Sequence, residues 1–441
     1  MHRMSRRLVA AMVGVLLPLA LGGQAFAATQ GSPVAGVLSV ADVTRLSADA
    51  TQRSIIVLRN QHRETPARAG TAGARASAVE SDQRAIKSEL AALHSTARSL
   101  HTVNAIAATI SKAEAGRLAA NPAVQAVVPD RVVPRPRLEP QTIGSAAPAA
   151  APAAAELQQL CPSNPAMPQL EPEALQVTNT EFQPGTSAPA AHDLADGTGV
   201  RVAFIADGLD INNPDLQRNG QSIFFDYQDF SGDGLNARTP GGEAFGDAAS
   251  IAAQGNQVYD LSQFVNPSHP LPPGCNIRIK GMAPGVTLAG LKVFGTGGAF
   301  NSTIIQAVDW AIERDHVDVI NESFGGNPFP DDQADPVQIA NENAVAAGIT
   351  VVASSGDAGF TSTIGNTAAT SGVISAAGST TLRLYRQQGS YGSQLSSGGW
   401  IDNNPSALSS SGFVQITPRT VDVMAPGDLG WALCSTNVAI Y

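Results

Sequence analysis

The second half of the chain alternates short apolar runs with segments in which apolar residues recur every three or four positions. The runs have the length of buried strands, and the periodic segments favour amphipathic helices. Strands are predicted at residues 200–205, 288–293, 317–320 and 349–353, and helices at residues 304–314 and 337–347. This alternation predicts an α/β fold, in which a parallel sheet is flanked by helices.

Residues 51–132 have a different pattern, which is typical of a small independent domain. A strand is predicted at residues 54–58, a helix at 79–100, an apolar stretch at 103–110 and a last strand at 124–128. Ser111 and Glu114 form a capping-box pattern, which predicts that a second helix begins there. The order strand, helix, strand, helix, strand indicates a small α+β sandwich.

Two other segments have the composition of a targeting sequence and a linker. Residues 1–27 join a basic start to an apolar stretch and end in Ala25-Phe26-Ala27, so we expect a cleaved signal peptide and a secreted protein. The apolar run is short for a membrane span, and we expect no membrane association after cleavage. Residues 133–169 begin with a stretch rich in Pro and Ala, which predicts a linker before a larger domain at residues 170–441.

Composition narrows the classes of partner and cofactor. The 441 residues are 43% hydrophobic and carry a net charge of −10, which suits a large core and argues against nucleic acid as a partner. Cys161, Cys275 and Cys434 fit an oxidising compartment, but the sequence leaves their pairing open. Asp229 and Asp233 suggest a calcium turn, yet the full set of spaced ligands is missing, so we assign no metal or other cofactor.

Acidic residues occupy the positions where a parallel sheet places its chemistry. Asp207 follows the predicted strand at residues 200–205, at an edge that borders a binding crevice; its alternative role is to cap the next turn. Glu243 and Asp247 are four residues apart, which places both on one face of a helix, where such pairs are otherwise merely solvated. Two carboxyls this close can hold one proton between them and act as a general base in acid.

The motifs around these residues resemble those of the subtilisin and sedolisin superfamily of serine peptidases. The matching segments are residues 206–216 (ADGLDINNPDL), 281–285 (GMAPG), 321–326 (NESFGG), 354–359 (SSGDAG) and 421–427 (VDVMAPG). Subtilisins should also show Gly-His-Gly-Thr at the start of a helix, and this sequence does not. The corresponding stretch holds Glu243 and Asp247, which is similar to the Glu-x-x-x-Asp pair of sedolisins, the acidic branch of the superfamily.

This resemblance implies a role for each acidic residue. Glu243 would be the general base, and Asp247 would orient it. Asp357 replaces the asparagine of subtilisins and would have to be protonated to donate a hydrogen bond to the oxyanion. In an ungapped alignment the catalytic aspartate of subtilisins falls on Ala206 and Asp207 takes the adjacent position. Asp207 therefore remains open as an alternative orienting acid.

The resemblance also implies the partners of the protein. A polypeptide substrate would pair with the backbone of the segment comprising Ser323, Phe324, Gly325 and Gly326. Residues 51–132 resemble an inhibitor-type prodomain in their first strand, residues 55–58, and in the segment from Leu118 to Asp130. That likeness predicts that the chain carries its own intramolecular inhibitor and chaperone.

The nucleophile is the missing part of the pattern. In this superfamily it lies in Gly-Thr-Ser-x-x-x-Pro after the segment that here ends at Gly427, but the sequence has Gly-Thr-Ser only at residues 185–187, in a loop-like stretch. We therefore expect a chain truncated before its serine, with a partner for Cys434 possible beyond Tyr441. Two hypotheses remain: a secreted serine endopeptidase with a carboxylate base and acidic preference, or a non-catalytic pseudopeptidase or inactive fragment.

Overall fold

The computed structural model describes residues 38–135, 160–183, 185–235, 242–265, 270–326, 335–359, 361–388, 403–412, 419–428 and 430–435. The predicted signal peptide and residues 136–159 of the predicted linker lie outside these ranges, as do residues 436–441. Residues 38–441 belong to one compact unit. Among the described residues, no helix combines the length and apolar character needed to cross a membrane.

Residues 38–130, here called the N-terminal unit, form a four-stranded antiparallel sheet with helices. Its elements are α1 (Val40–Ser47), β1 (Gln52–Leu58), α2 (Ala72–Ala92), β2 (Ala97–Leu100), β3 (Ala105–Ile110), α3 (Lys112–Ala119) and β4 (Val124–Pro129). The strands are ordered β2-β3-β1-β4. Ser111 accepts a hydrogen bond from the Glu114 N–H at 3.0 Å, so the predicted cap of α3 is confirmed. The unit has the predicted α+β architecture.

The predicted helix at residues 79–100 was wrong at both ends. It begins seven residues earlier, at Ala72, and ends at Ala92, after which residues 97–100 form β2. The chain leaves the helix through His94, whose φ of 59° is left-handed, and the Ser95 N–H closes the end by donating to the Leu90 carbonyl at 2.9 Å. Leu100 is then fully buried as a strand residue.

The rest of the described chain forms a seven-stranded parallel sheet with smaller β elements around it. The strands are β5 (Val132–Val133), β6 (Gln169–Glu171), β7 (Arg201–Ala206), β8 (Gln217–Arg218), β9 (Gln221–Ser222), β10 (Phe224–Asp229), β11 (Tyr259–Asp260), β12 (Asn276–Ile279), β13 (Thr287–Lys292), β14 (Ala299–Phe300), β15 (Val319–Glu322), β16 (Thr350–Ser354), β17 (Ile374–Ser379) and β18 (Val423–Pro426). The large sheet has the order β10-β13-β7-β15-β16-β17-β18. Every pair of neighbours in it is parallel.

Helices cover both faces of this sheet. They are α4 (Ala174–Val177), α5 (Glu243–Ala252), α6 (Asn301–Glu313), α7 (Pro336–Ala346) and α8 (Leu382–Gln388), with short 3₁₀ turns at Ala191–Asp193, Pro214–Leu216 and Leu261–Gln263. Along β7, Val202 and Phe204 pack in one core with α5, whereas Ala203 and Ile205 pack in the other with α6 and α7. A strand that is buried on both faces needs apolar residues at consecutive positions, which explains the continuous apolar run in the sequence. The predicted α/β fold is confirmed.

A disulfide joins Cys161 to Cys275, which resolves the pairing that the sequence left open. It connects the segment before β6 to the start of β12, and these two strands pair in parallel in a small sheet with β11. Cys434 is exposed and carries a free thiol in the part of the chain that the structure describes.

The N-terminal unit docks on α6 and on α7, where Asn343 donates to the Thr102 carbonyl at 2.7 Å. Asp309 of α6 accepts the backbone N–H groups of His101 at 2.9 Å and Thr102 at 2.6 Å. Asp130 accepts both the N–H and the hydroxyl of Ser302 at 3.0 and 2.7 Å, which caps the first turn of α6. These bonds join surfaces that also share one apolar core, in which Ile55 and Leu100 cluster with residues of the large sheet.

Candidate active site

The predicted site residues meet at the carboxyl ends of three neighbouring strands. Asp207 follows β7, Ser323 follows β15, and the loop holding Asp357 follows β16. Because β7, β15 and β16 are adjacent and parallel, these three positions face one crevice. Helix α5 begins above the same crevice and brings Glu243 with it.

Asp207 binds the helix that carries the acidic pair. Its Oδ1 accepts the backbone N–H of Ala244 at 2.8 Å, so its charge lies at the positive N-terminus of α5. The side chain is only 1% exposed, and its Oδ2 has no hydrogen-bond partner in the described ranges. Burial raises the pKa of Asp207, and the Ala244 N–H partly offsets that rise. This bond caps α5, whereas the alternative role predicted from the sequence was to cap the turn after Asp207, and an unused carboxylate oxygen remains.

Glu243 and Asp247 occupy successive turns at the start of α5. Gly242 precedes them with a left-handed φ of 72°, a conformation that glycine adopts without strain, and it turns the chain into the helix. Burial raises the pKa of Glu243, and the negative charges of Asp247, Asp207 and Asp357 raise it further. Burial also raises the pKa of Asp247. Both carboxyls thus bind a proton more tightly than free acids do, as neighbouring carboxyls that cannot both ionise freely should, and a proton shared between them stays a prediction.

Ser323 positions Asp247, a contact that the sequence did not predict. The Ser323 hydroxyl donates to Asp247 Oδ1 at 2.6 Å, and Asn321 Nδ2 donates to the Ser323 oxygen at 3.1 Å. This chain of bonds orients one carboxylate oxygen of Asp247. The other, Oδ2, is buried and has no partner among the residues described. A buried acid with one oriented oxygen and one unused oxygen is suited to exchange a proton with a neighbour.

The remaining residues of the predicted substrate strand are held from behind by a second loop. The Phe324 carbonyl accepts the Thr367 hydroxyl at 2.6 Å, and the Gly326 N–H donates to Asn366 Oδ1 at 2.9 Å. A Cβ at Gly325 would lie 3.1 Å from Thr367 Oγ1, so the two segments approach closely. Phe324 is buried, with its ring 5.3 Å from that of Phe294. Backbone pairing of this segment with a peptide stays a prediction.

Asp357 stands on the open side of the crevice. Its loop is fixed to another loop through the Ala358 N–H, which donates to the Ser410 hydroxyl at 3.0 Å, and the Ser410 N–H, which donates to the Gly356 carbonyl at 2.7 Å. Desolvation by the surrounding protein raises the pKa of Asp357. The negative charge of Asp357 raises the pKa of Glu243, so the two carboxyls share the crevice. A raised pKa is what a carboxyl that donates a hydrogen bond requires.

The carboxylates of Asp229 and Asp233, whose spacing suggested a calcium turn, accept hydrogen bonds from backbone N–H groups. Asp229 accepts the N–H groups of Ser231 at 3.0 Å and Gly234 at 2.8 Å, and Asp233 accepts the Thr296 N–H at 3.1 Å. Within the described ranges, no group of three or more metal-ligating side chains is present. The prediction that the protein needs no metal is left untested by this arrangement.

Comparison with known proteins agrees with the fold and with the order of the motifs. The sequence model of the subtilase family, peptidase S8, matches residues 197–440. Subtilisin E of Bacillus subtilis is 32% identical over 188 residues, which are 40% of this chain and 40% of that protein. The minor extracellular protease Vpr of Bacillus subtilis is 32% identical over 217 residues, covering 48% of this chain and 24% of that protein. The chain thus matches less than half the length of either relative.

Proposed function

Since the chain belongs to the subtilase family, peptidase S8, we propose that the complete protein is a secreted serine-type endopeptidase that uses a carboxylate base and prefers acid. The observation that carries the proposal is the pair on α5. Glu243 and Asp247 both have raised pKa values, and Asp247 is oriented by Ser323. In an ordinary setting a carboxyl ionises at lower pH than histidine does, which motivates the acidic preference, and burial works against it by keeping this pair protonated.

The chemistry follows from the positions of the acids. A serine hydroxyl attacks the substrate carbonyl carbon while Glu243 takes the hydroxyl proton, and protonated Asp357 donates to the oxygen that becomes negative. Glu243 then returns the proton to the leaving amine, which breaks the peptide bond. We propose that the nucleophile lies C-terminal to β18, because the superfamily that the motifs resemble places its Gly-Thr-Ser motif after the strand that here ends at Pro426.

The N-terminal unit is proposed to be an inhibitory prodomain. Its support is the stretch of residues 131–135, here called the tail segment, in which Val132 and Val133 pair antiparallel with β14. We expect a chain in this place to hinder a peptide substrate, and the bonds that Ser302 donates to Asp130 hold the start of the tail segment there. Because the unit also completes the apolar core against α6, we propose that it assists folding as well.

The decisive experiment is an activity assay of the complete coding sequence, including whatever follows codon 441. We expect cleavage of a fluorogenic peptide near pH 4, weaker cleavage near pH 8, and labelling by a fluorophosphonate that reacts with activated serines. Activity at pH 8 with none at pH 4 would contradict the carboxylate base. No cleavage and no labelling at any pH would favour the non-catalytic alternative.

Replacing Asp357 with asparagine is expected to extend activity to higher pH. Aspartic acid donates to the oxyanion only while protonated, so this contribution is present below its raised pKa and lost as the pH rises through it. The asparagine amide donates at every pH. We expect the alkaline limb of kcat against pH to move upward by about one pH unit or more. Asp357→Ala, the control without a donor, should lose activity about 10²-fold throughout. Coincident limbs for wild type and Asp357→Asn would rule out the donor role.

A further inference from the structure

His101 lies where the N-terminal unit meets α6, and its imidazole ring joins the two. The ring Nδ1 is 3.0 and 3.2 Å from the two carboxylate oxygens of Glu313, at the end of α6. The ring Nε2 is 3.3 Å from a carboxylate oxygen of Glu80, which lies on α2 of the unit itself. The His101 side chain is only 23% exposed, so water screens these contacts in part.

Both ring nitrogens of His101 therefore face carboxylates, and this arrangement selects the charged form of the ring. An ionised carboxylate only accepts hydrogen bonds, whereas a neutral imidazole has one N–H and one bare nitrogen. A neutral ring would direct a lone pair at one of the two carboxylates, while the imidazolium donates to both. In agreement, the hydrogen bond to Glu313 outweighs burial and raises the pKa of His101 to about 9.

Three carboxylates surround the ring in the described contacts. Besides Glu80 and Glu313, Asp309 of α6 accepts the backbone N–H of His101 at 2.9 Å, and its negative charge also raises the pKa of the ring. Burial raises the pKa of Asp309 to about 6, so this carboxyl is ionised above that pH. Against the effect of burial, hydrogen bonds lower the pKa of Glu80 to about 2. The ring thus lies in negative surroundings at neutral pH.

Two fixed cations, Lys87 and Arg75, also lie close to this site, and both belong to α2. Lys87 pairs with Glu80 at 2.8 Å, and Arg75 donates to the His101 carbonyl at 3.2 Å. The described contact from α7, an amide hydrogen bond of Asn343, adds no charge. With a charged His101, three carboxylates meet three cations in these contacts. Loss of the proton from the ring leaves one negative charge uncompensated.

We propose that His101 makes the docking of the N-terminal unit depend on pH, so that the unit is held on α6 in acid and at neutral pH and is released more readily in alkaline solution. Regulation of activity by this contact rests on the proposed function, because it needs an active enzyme and an inhibitory unit. The docking contact itself does not.

The direction follows from which carboxylates stay with the ring. When the unit leaves α6, His101 keeps Glu80 and loses Glu313 and Asp309, so the free unit binds the proton less tightly than the docked unit does. The proton therefore stabilises docking fully below the ordinary pKa of 6.5, and this stabilisation is lost as the pH rises through about 9. Docking should weaken over this range.

Amide hydrogen exchange in the full chain measures docking without requiring catalysis. The Thr102 N–H donates to Asp309 across the interface at 2.6 Å, so its protection factor, which corrects for the intrinsic exchange rate, reports the docked state. We expect this factor to fall at least about tenfold between pH 6 and pH 8.5. His101→Arg keeps a cation with several donors and should change little with pH. His101→Gln, which is never charged, should be low at both pH values. His94→Gln changes an exposed histidine of the same unit and should follow the wild type.

Two results would overturn the proposal: no fall of protection in the wild type, or an equal fall in the wild type and His101→Gln. If His101→Gln does not fold, NMR titration of the His101 ring in the full chain decides. Its midpoint should lie near pH 9 and should drop by about one unit or more in Glu313→Gln. A wild-type midpoint at or below the ordinary 6.5 would equally contradict the proposal.

The regulatory arm uses the complete enzyme in a pH jump. Enzyme held at pH 8.5 and then assayed near pH 4 should show an initial burst of peptide cleavage that declines as the unit docks again. Enzyme held at pH 6 should show no burst, and neither should His101→Arg after either treatment. If Thr102 loses protection as expected but no burst follows, the docking contact stands and the inhibitory role in the proposed function is contradicted, so the two failures are distinguishable.

Discussion

Replacing Glu243 with glutamine in the complete protein is expected to lower kcat by about 10³-fold with little change in KM. Glutamine has nearly the same size and can still accept hydrogen bonds, so the start of α5 should keep its form. It cannot take a proton from the nucleophile, however. Burial and three neighbouring carboxyls raise the pKa of Glu243, so its ionised form takes up a proton strongly. The measurement is kcat and KM near pH 4.

Two comparisons make this result specific. Ser250→Ala changes an exposed side chain of the same helix and should leave kcat unchanged. Asp247→Asn should cost less than Glu243→Gln, about 10²-fold, because it removes an orienting partner and not the base itself. A Glu243→Gln enzyme with more than a tenth of wild-type kcat would show that another group accepts the proton.

The same series resolves the role of Asp207. An orienting acid acts on kcat for every substrate, so a large general loss in Asp207→Asn would make it the partner of Glu243. A large loss in Asp247→Asn with little loss in Asp207→Asn would instead make Asp247 that partner.

Local spacing is what made the acidic pair predictable from the sequence. Glu243 and Asp247 are one helical turn apart, so the helix alone brings them together once it forms. The strands β7 and β13 were likewise predictable, because a strand buried on both faces leaves an uninterrupted apolar run, whereas β15, whose alternate residues are half-buried, begins two residues later than predicted. Predictions of this kind depend on residues that are close in sequence, and the elements concerned are present in the structure.

Contacts between distant residues were not predictable. Ser323 lies 76 positions from Asp247, and Asp130 lies 172 from Ser302, and no local pattern indicates that either pair meets. The pairing of Val133 with Ala299 of β14 was not predicted either, because Val133 fell in a stretch whose Pro and Ala content indicated a linker. The strand β10, at residues Phe224–Asp229, was also missed, because its exposed and half-buried residues give it no buried apolar run.

Burial of acids is the feature that the site shares with the rest of the molecule. Glu322 lies beneath the crevice on β15 and is fully buried, with Oε2 accepting from Asn341 at 2.6 Å and Oε1 unpartnered among the described residues. Burial raises its pKa to about 7. The crevice carboxyls with raised pKa values thus belong to a wider group of such acids, which also includes Glu114, Asp309 and Asp315.

The folded chain is therefore expected to be more stable near pH 4.5 than near pH 7. Glu114, Asp315 and Glu322 have pKa values raised by burial to about 7, and burial likewise raises that of Asp309 to about 6. Each binds its proton more tightly when folded. The part of the unfolding free energy that these acids contribute should fall as the pH rises from the unfolded values near 4 through these folded values, and then level off. Carboxyls whose pKa is lowered in the folded chain, such as Glu80 at about 2, change their protonation, and hence their effect on stability, below this pH range.

Glu322→Gln isolates one contribution to this slope. Glutamine keeps an oxygen for Asn341 and cannot ionise, so the variant should lose less stability than wild type between pH 4.5 and 7. A difference on the order of 2 kcal/mol is expected for this one group. Glu342→Gln, at a partly exposed position of α7 next to Arg63, is the matched control and should keep the wild-type slope. The measurement is the urea midpoint of the three proteins at both pH values. An equal change of the midpoint with pH in all three would show that the fold does not hold Glu322 protonated.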